Sequence, residues 1–190
     1  YEGNGVVKRN DVENFLSQLE QKDRKVLRAI GVRFGRYHIF LYKLLKPKPV
    51  MMRVILWKNY YQKYLNLNIP KFGLNFLYNG KSLNQNFMLI CGFEKFNNIY
   101  VRIDILERLF LMIFEIGKNE KKEIKLKPEM LNLLGCSKEN FIKLIENMDY
   151  KTYNKNDEIF FKYSPKKKFR KINEKNKITV DNPFNVLKEM

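Results

Sequence analysis

The residues best suited to chemistry in this chain of 190 residues are arginine and aromatic side chains that stand next to each other. The densest group is the stretch Arg33-Phe-Gly-Arg-Tyr-His38. An arginine guanidinium can bind a phosphate through two hydrogen bonds, and arginine and tyrosine can stack on nucleic-acid bases. We therefore expect a contact with nucleic acid, or with a neighbouring domain, through Arg33, Arg36, Tyr37 and His38. Alternatively, the apolar residues of this stretch form core and the arginines pair with acidic residues.

The overall charge indicates the same class of partner. The chain has 37 Lys and Arg residues against 20 Asp and Glu, for a formal net charge of +17, and such an excess favours binding to polyanions. The lysines are weaker indicators than the arginines, because 28 Lys, 22 Asn and one Ala are what an AT-rich genome imposes. Five of the nine arginines lie between residues 24 and 53, and this clustering is harder to attribute to the genome.

Histidine and cysteine do not form a catalytic or metal-binding pattern. His38 is the only histidine, and the two cysteines, Cys91 and Cys136, are far apart in sequence. This set lacks the paired spacings of zinc sites and of disulfide-bonded small domains, so we interpret both cysteines as ordinary thiols. We expect His38 to pack beside its aromatic neighbours or to contact a phosphate, and we predict no metal ion in this segment.

Two further patterns resemble catalytic motifs but are incomplete. Gly80-Lys-Ser82 ends like a phosphate-binding loop, yet that loop requires a glycine at position 75, which is Asn. The carboxylates Asp104 and Glu107 could form an acid–base pair, but basic neighbours such as Arg108 make solvated ion pairs the simpler interpretation. We therefore predict no catalytic residue and no bound cofactor in this segment.

The elements that would position the basic side chains are clearest between residues 100 and 163. A buried helix over 103–116 precedes a short helix over 128–134, a glycine turn, a helix with Ser137 as N-cap, and a β-hairpin over 150–163. This order is typical of a winged helix-turn-helix, in which the second helix or the hairpin contacts nucleic acid. The exposed positions expected on the second helix are Lys138, Asn140, Lys143 and Asn147, and the hairpin offers Lys151, Lys155 and Lys162; the contacts that we expect among them are Lys138, Lys143, Lys151 and Lys155. Alternatively, a winged helix serves as an adaptor between proteins.

The sequence after residue 163 is basic and almost without apolar residues. Its lysines and arginine could form an arm that binds phosphates, or they could belong to a solvated linker. The residues in question are Lys166, Lys167, Lys168 and Arg170. The chain closes with Asp181-Asn-Pro-Phe-Asn-Val-Leu187, an apolar motif that is too short to fold alone and would need a partner surface.

These elements together predict an α+β fold that is mainly α. Residues 1–98 form a helical accessory segment with one short strand-like stretch, in which we predict a single amphipathic helix over 10–30 and another over 51–65. Residues 99–163 form the winged-helix-like domain, and 164–190 a flexible basic tail with a docking motif. The chain begins without Met, so we expect a piece of a longer protein. The longest apolar run is interrupted by charges and too short to span a bilayer, so we expect a cytoplasmic protein.

Five phrases of the sequence occur in an order that matches a known family of proteins: Leu27 to Leu41, Leu44 to Pro47, Tyr100 to Leu109, Leu133 to Ser137, and Asn182 to Leu187. Together they resemble the C-terminal region of alphaproteobacterial helicases. These bacterial enzymes belong to superfamily two, are of the DExH type, and are similar to the mitochondrial RNA helicase that works with the RNA degradation machinery.

The resemblance implies an ATP-dependent helicase whose two RecA-like domains precede Tyr1 and hold ATP and magnesium. The catalytic motifs of the family have no matching positions here, so no catalytic residue is carried over and this segment alone should not hydrolyse ATP. The implied partners are nucleic acid, with RNA favoured over DNA, the helicase core of the same polypeptide, and a partner nuclease, but no membrane. The expected function is to bind and orient the nucleic-acid backbone beside the core. The alternative is a protein-interaction adaptor that docks onto the core or the nuclease.

Overall fold

A computed structural model describes residues 5–62, 66–79, 83–119, 123–156 and 158–165. About half of the described residues are helical, and the strands among them form three small antiparallel sheets of three strands each. The predicted mixture of helices and strands is therefore confirmed. No helix in the described ranges is long and apolar enough to cross a membrane.

The first sheet has the strand order β1-β3-β2 and is built from residues 6–41. Its elements in chain order are β1 (Val6–Lys8), α1 (Glu13–Gln18), α2 (Gln21–Ala29), β2 (Val32–Phe34) and β3 (His38–Leu41). The prediction of one continuous helix over 10–30 was wrong, because the backbone is extended at Leu19 and Glu20. Glu20 begins α2 through a capping box. Its carboxylate accepts the backbone N–H of Asp23, and the Asp23 carboxylate accepts the backbone N–H of Glu20.

The second sheet, with the order β4-β6-β5, packs with two helices. The elements are α3 (Pro47–Tyr60), β4 (Phe76–Tyr78), α4 (Gln85–Ile90), β5 (Phe93–Phe96) and β6 (Ile99–Arg102). Helix α3 begins at Pro47, four residues before the predicted start, because the first helical turn has no intrahelical acceptor for its N–H groups and tolerates proline. The predicted boundary after residue 98 runs between β5 and β6, which pair from Phe93↔Arg102 to Phe96↔Ile99.

The third sheet has the order β7-β9-β8 and contains the predicted hairpin. The elements are α5 (Ile103–Asn119), β7 (Ile124–Lys125), α6 (Pro128–Leu134), α7 (Lys138–Asn147), β8 (Tyr150–Lys155) and β9 (Glu158–Tyr163). The bounds predicted for α6 are confirmed. Gly135 ends this helix in the left-handed region (φ 68°), and the Ser137 hydroxyl accepts the N–H of Asn140 at 3.3 Å. Helix α5 ends at Asn119, three residues beyond the predicted range of 103–116.

The main hydrophobic core surrounds α5 and joins the second sheet to the third. Its buried side chains come from α5, α6, α7 and the inner face of β9, and they include Leu106, Leu109, Met130, Leu134, Phe141, Leu144, Ile145 and Phe161. Burying each of these side chains contributes about 1.5–3 kcal/mol. The third sheet therefore has one face that is fixed against the core and an opposite face that lies away from it.

Candidate nucleic-acid interface

The outer face of the third sheet combines lysines with two aromatic rings. Along β9, Ile159 and Phe161 are buried on the inner face. The residues that alternate with them, Glu158, Phe160 and Lys162, therefore lie on the outer face together with their cross-strand partners on β8. Strand β7 contributes a further lysine opposite Phe160. We name this surface the basic sheet face and define it as Lys125, Lys151, Tyr153, Lys155, Phe160 and Lys162.

Two lysines of the basic sheet face lie directly opposite each other. Lys151 on β8 is the register partner of Lys162 on β9, and both side chains are exposed. Like charges in this arrangement destabilise a sheet. Lys125 is neutralised by Glu158, with Nζ 2.5 Å from Oε1, whereas no ion pair involves Lys151, Lys155 or Lys162 among the described residues. The face therefore carries a positive charge that an anion could compensate.

The aromatic rings of this face are also paired across the strands. Tyr153 is the register partner of Phe160, and their rings are nearly parallel, with an interplanar angle of 16° and 6.0 Å between centroids. Each side chain is partly exposed. Desolvation of the Tyr153 hydroxyl and the nearby Glu123 carboxylate raise the pKa of Tyr153. The phenol therefore stays neutral at physiological pH and adds no negative charge to the face.

Helix α7 carries two of the predicted contacts, but its outer side has no net charge. Lys138 and Lys143 are exposed, and so are the acidic residues Glu139 and Glu146 of the same helix. Two positive and two negative side chains compensate each other at the distances of one helix surface. The charge that could attract a polyanion is therefore concentrated on the hairpin rather than on α7.

The same helix is tied to the second sheet by polar contacts. The Lys143 ammonium lies over the Tyr78 ring of β4, 5.8 Å from its centroid. The Asn147 side-chain oxygen accepts a hydrogen bond from the Asn97 amide at 2.6 Å, in the turn between β5 and β6. Part of the α7 surface that we expected to face nucleic acid is thus in contact with the protein itself.

The turn between β2 and β3 binds an internal carboxylate. The backbone N–H groups of Arg36, Tyr37 and His38 donate hydrogen bonds to the Glu107 carboxylate at 2.5, 2.9 and 3.0 Å. Glu107 is buried, so the expectation that it forms a solvated ion pair with Arg108 was wrong. Backbone donors that could have approached a phosphate are occupied by this side chain, and they fix the turn to α5.

His38 is an interior residue, and the expectation that it contacts nucleic acid was wrong. Its side chain is 1% exposed, with Nε2 2.7 Å from Glu94 Oε2 and Nδ1 3.7 Å from Glu107 Oε1. Lys8 also binds Glu94, at 3.2 Å. Burial alone would lower the pKa of His38, but the two carboxylates outweigh it and raise that pKa above 6.5. A histidine beside carboxylates is thus present, but it lies in the interior and not in a cleft.

Tyr37 also packs inward, whereas its two arginine neighbours remain accessible. The Tyr37 ring lies 4.6 Å from the Phe110 ring, and burial raises the pKa of Tyr37 to about 12. Arg33 and Arg36 are exposed. The positive charge of Arg36 lies close enough to Tyr150, at the base of the hairpin, to oppose the rise that burial causes in the pKa of Tyr150. The structure therefore brings Arg36 near the third sheet.

The cysteines and acidic residues form no second site in the parts of the chain that are described. Burial raises the pKa of Cys91 to about 12 and that of Cys136 to about 11, so both thiols are protonated and poor nucleophiles at neutral pH. Within the same ranges, no group of three or more His, Cys, Asp and Glu side chains is arranged to hold a metal ion.

Four predicted contacts and the predicted docking motif lie outside the described residues. The contacts concerned are Lys166, Lys167, Lys168 and Arg170, and the motif covers 181–187. Conversely, sequence reasoning missed Lys125, Tyr153 and Phe160 as members of one surface. The two-residue alternation around Phe161 was a signal for the two aromatic residues, but the pairing of β7 with β9 had no local signal.

No family model, curated protein or solved structure matched this chain in the three comparisons made. The resemblance to helicase C-terminal regions therefore depends on the five sequence phrases alone. What the geometry itself offers is a sheet surface with uncompensated lysines and accessible aromatic rings, which are the groups that hold a nucleic-acid strand without reading its sequence.

Proposed function

We propose that this chain binds the backbone of a nucleic acid through the basic sheet face, as an accessory region of an ATP-dependent helicase. The observation that carries this proposal is the pair Lys151 and Lys162, two exposed lysines held opposite each other without an acidic partner among the described residues. A phosphate that binds between such lysines releases counterions, which supplies affinity without base specificity. The five phrases favour RNA over DNA as the ligand.

We extend the proposal to a winged-helix interpretation of residues 99–163. In this interpretation α6 and α7 form the helix-turn-helix and the β8–β9 hairpin is the wing. The distribution of charge supports a wing that binds, because the outer side of α7 has equal numbers of basic and acidic side chains. The helicase core, with its ATP and magnesium sites, would lie upstream in the same cytoplasmic polypeptide.

The proposal is tested by fluorescence anisotropy with labelled RNA at low ionic strength. The variant Lys151→Gln with Lys162→Gln should bind RNA more weakly than the unmodified chain, because the phosphate between these positions loses both of its cations. The matched control is Lys22→Gln with Lys25→Gln, which removes the same charge from exposed positions on α2. Equal losses in both double variants would show that only the net charge matters, and would contradict a defined binding face.

A second candidate function is the protein-interaction adaptor, and the outer side of α3 favours it. Met52, Ile55, Leu56 and Tyr60 are exposed there, with Tyr60 at 80%, while the opposite side of the same helix packs in the core. A helix with apolar side chains on opposite sides is usually buried, so we expect another protein surface to pack against the exposed side of α3. The occupant that we propose is the helicase core of the same polypeptide.

The two functions separate in a binding experiment with the helicase core supplied as its own polypeptide. Under the adaptor function, Ile55→Lys with Leu56→Lys should abolish binding to the core and leave RNA affinity unchanged. A second variant deletes residues 181–190. If it no longer binds the core or the nuclease but still binds RNA, the adaptor function is also favoured. Core binding that survives both changes would exclude these surfaces as the docking site.

A further inference from the structure

We propose that Tyr153 and Phe160 form a stacking platform for the bases of single-stranded nucleic acid, so that the basic sheet face prefers single strands to duplexes. This inference rests on the proposed function and adds the class of substrate. Its basis is that both rings lie on the outer face of the sheet, each partly exposed, opposite each other on neighbouring strands.

The lysines are positioned so that one strand could use both kinds of contact. Lys151 precedes Tyr153 by two residues on β8, and Lys162 follows Phe160 by two residues on β9. Two residues of strand span about 6.6–6.8 Å, so a phosphate held between Lys151 and Lys162 lies one such step from the paired rings. A base of the same strand can therefore reach the rings while its phosphate remains bound.

The preference for single strands follows from the accessibility of the bases. In a duplex the faces of the bases are covered by neighbouring base pairs, whereas an unpaired strand can turn its bases onto aromatic side chains. Every base has an aromatic face, so such a platform tolerates any sequence. A purely structural role is the competing explanation, because an aromatic cross-strand pair also stabilises a hairpin.

The experiment compares the affinities for oligouridine RNA and for a blunt-ended RNA duplex of the same length. In the variant Tyr153→Leu with Phe160→Leu, the apolar bulk remains but the aromatic faces are lost. We expect oligouridine affinity to fall roughly 5- to 150-fold, because one stacked base is worth about 1–3 kcal/mol. Duplex affinity should change less than about twofold by the same reasoning. Tyr153→Phe should retain the affinity for oligouridine, since the ring stays.

Each outcome decides for or against the platform. If the leucine variant binds oligouridine as well as the unmodified chain, or loses both ligands equally, the platform is excluded. The proposed function survives that result if Lys151→Gln with Lys162→Gln still weakens binding. If the unmodified chain binds neither ligand, both proposals fail.

Should the leucine variant lose its cooperative thermal unfolding, ultraviolet crosslinking of the unmodified chain to oligouridine decides instead. A crosslink at Tyr153 or Phe160, located by mass spectrometry, supports the platform. Crosslinks confined to other residues contradict it.

Discussion

The Glu107 carboxylate lies so close to Gly35 that no side chain fits between them. A Cβ atom placed on Gly35 would lie well inside the van der Waals contact distance of the carboxylate carbon and of both oxygens. Glu107 cannot move away cheaply, because three backbone N–H groups of the β2–β3 turn hold it. The contact links α5 to the first sheet across about 70 residues of sequence.

We therefore predict that Gly35→Ala destabilises the protein. Overpacking of a filled site costs about 1–3 kcal/mol, to be measured as the free energy of unfolding in urea. The matched control is Gly117→Ala in α5, where a Cβ atom would meet Ile124 at an ordinary 3.6 Å. That change should stabilise the protein by about 0.5–1 kcal/mol. Equal stability of Gly35→Ala and the unmodified chain would contradict the described turn.

The cluster of His38, Glu94, Glu107 and Lys8 should make stability depend on pH. The pKa of His38 is raised above 6.5, so the protonated ring stabilises the fold below pH 6.5, and this contribution is lost as the pH rises through the raised pKa. Burial alone would raise the pKa of Glu94, but His38 and Lys8 lower it below 4.5. The contribution of Glu94 is therefore present above pH 4.5 and lost as the pH falls further.

The measurement is the free energy of unfolding in urea as a function of pH. We expect a decline from pH 6.5 upward in the unmodified chain, and a flatter curve over the same range in His38→Gln. The glutamine variant should also be less stable at pH 6, because the carboxylates of Glu94 and Glu107 lose the positive charge of His38 and only Glu94 keeps its contact with Lys8. A decline of unchanged slope in His38→Gln would assign the pH dependence to other groups.

A trade-off between stability and binding is predicted at Lys162. Lys162→Glu places opposite charges across the β8–β9 pair with Lys151, so the free energy of unfolding should rise by about 0.2–1 kcal/mol. Affinity for RNA should fall at the same time, because the face loses a cation and gains an anion. Thermal melts and anisotropy titrations on the same preparation measure the two effects. A variant that is both less stable and weaker in binding would indicate general damage to the hairpin.

How far the sequence predicted the fold depends on how local each signal is. Helices α6 and α7 were predicted because Pro128, Gly135 and Ser137 act within one turn of their own position. The role of Glu107 could not be predicted, because its partners lie about 70 residues away and its helix neighbours suggested an ion pair. The break at Leu19 was missed since the apolar spacing continues through it.

The residues of the candidate site also divide into those with a local sequence signal and those whose position depends on distant partners. The lysines of the hairpin could be identified from composition, and the register of β8 and β9 then determined which of them lie opposite each other. Packing of His38 inside the protein was one of the two expectations for this residue, but its pairing with Glu94 could not be predicted, because the two residues are 56 positions apart in sequence. The outer-face positions of Tyr153 and Phe160 could have been predicted from the alternation of side chains along a strand, once Phe161 is assigned to the core.

The salt dependence of RNA binding tests the central claim most directly. The logarithm of the binding constant for oligouridine is measured against the logarithm of salt concentration for the unmodified chain and two double variants. Each neutralised phosphate contributes about 0.7 to the steepness of this line for a single strand, so Lys151→Gln with Lys162→Gln, which removes both lysines from one phosphate, should lower it by roughly 0.7. Lys22→Gln with Lys25→Gln should leave the slope unchanged. An unchanged slope in the first variant, or the same reduction in the second, would contradict binding through the basic sheet face.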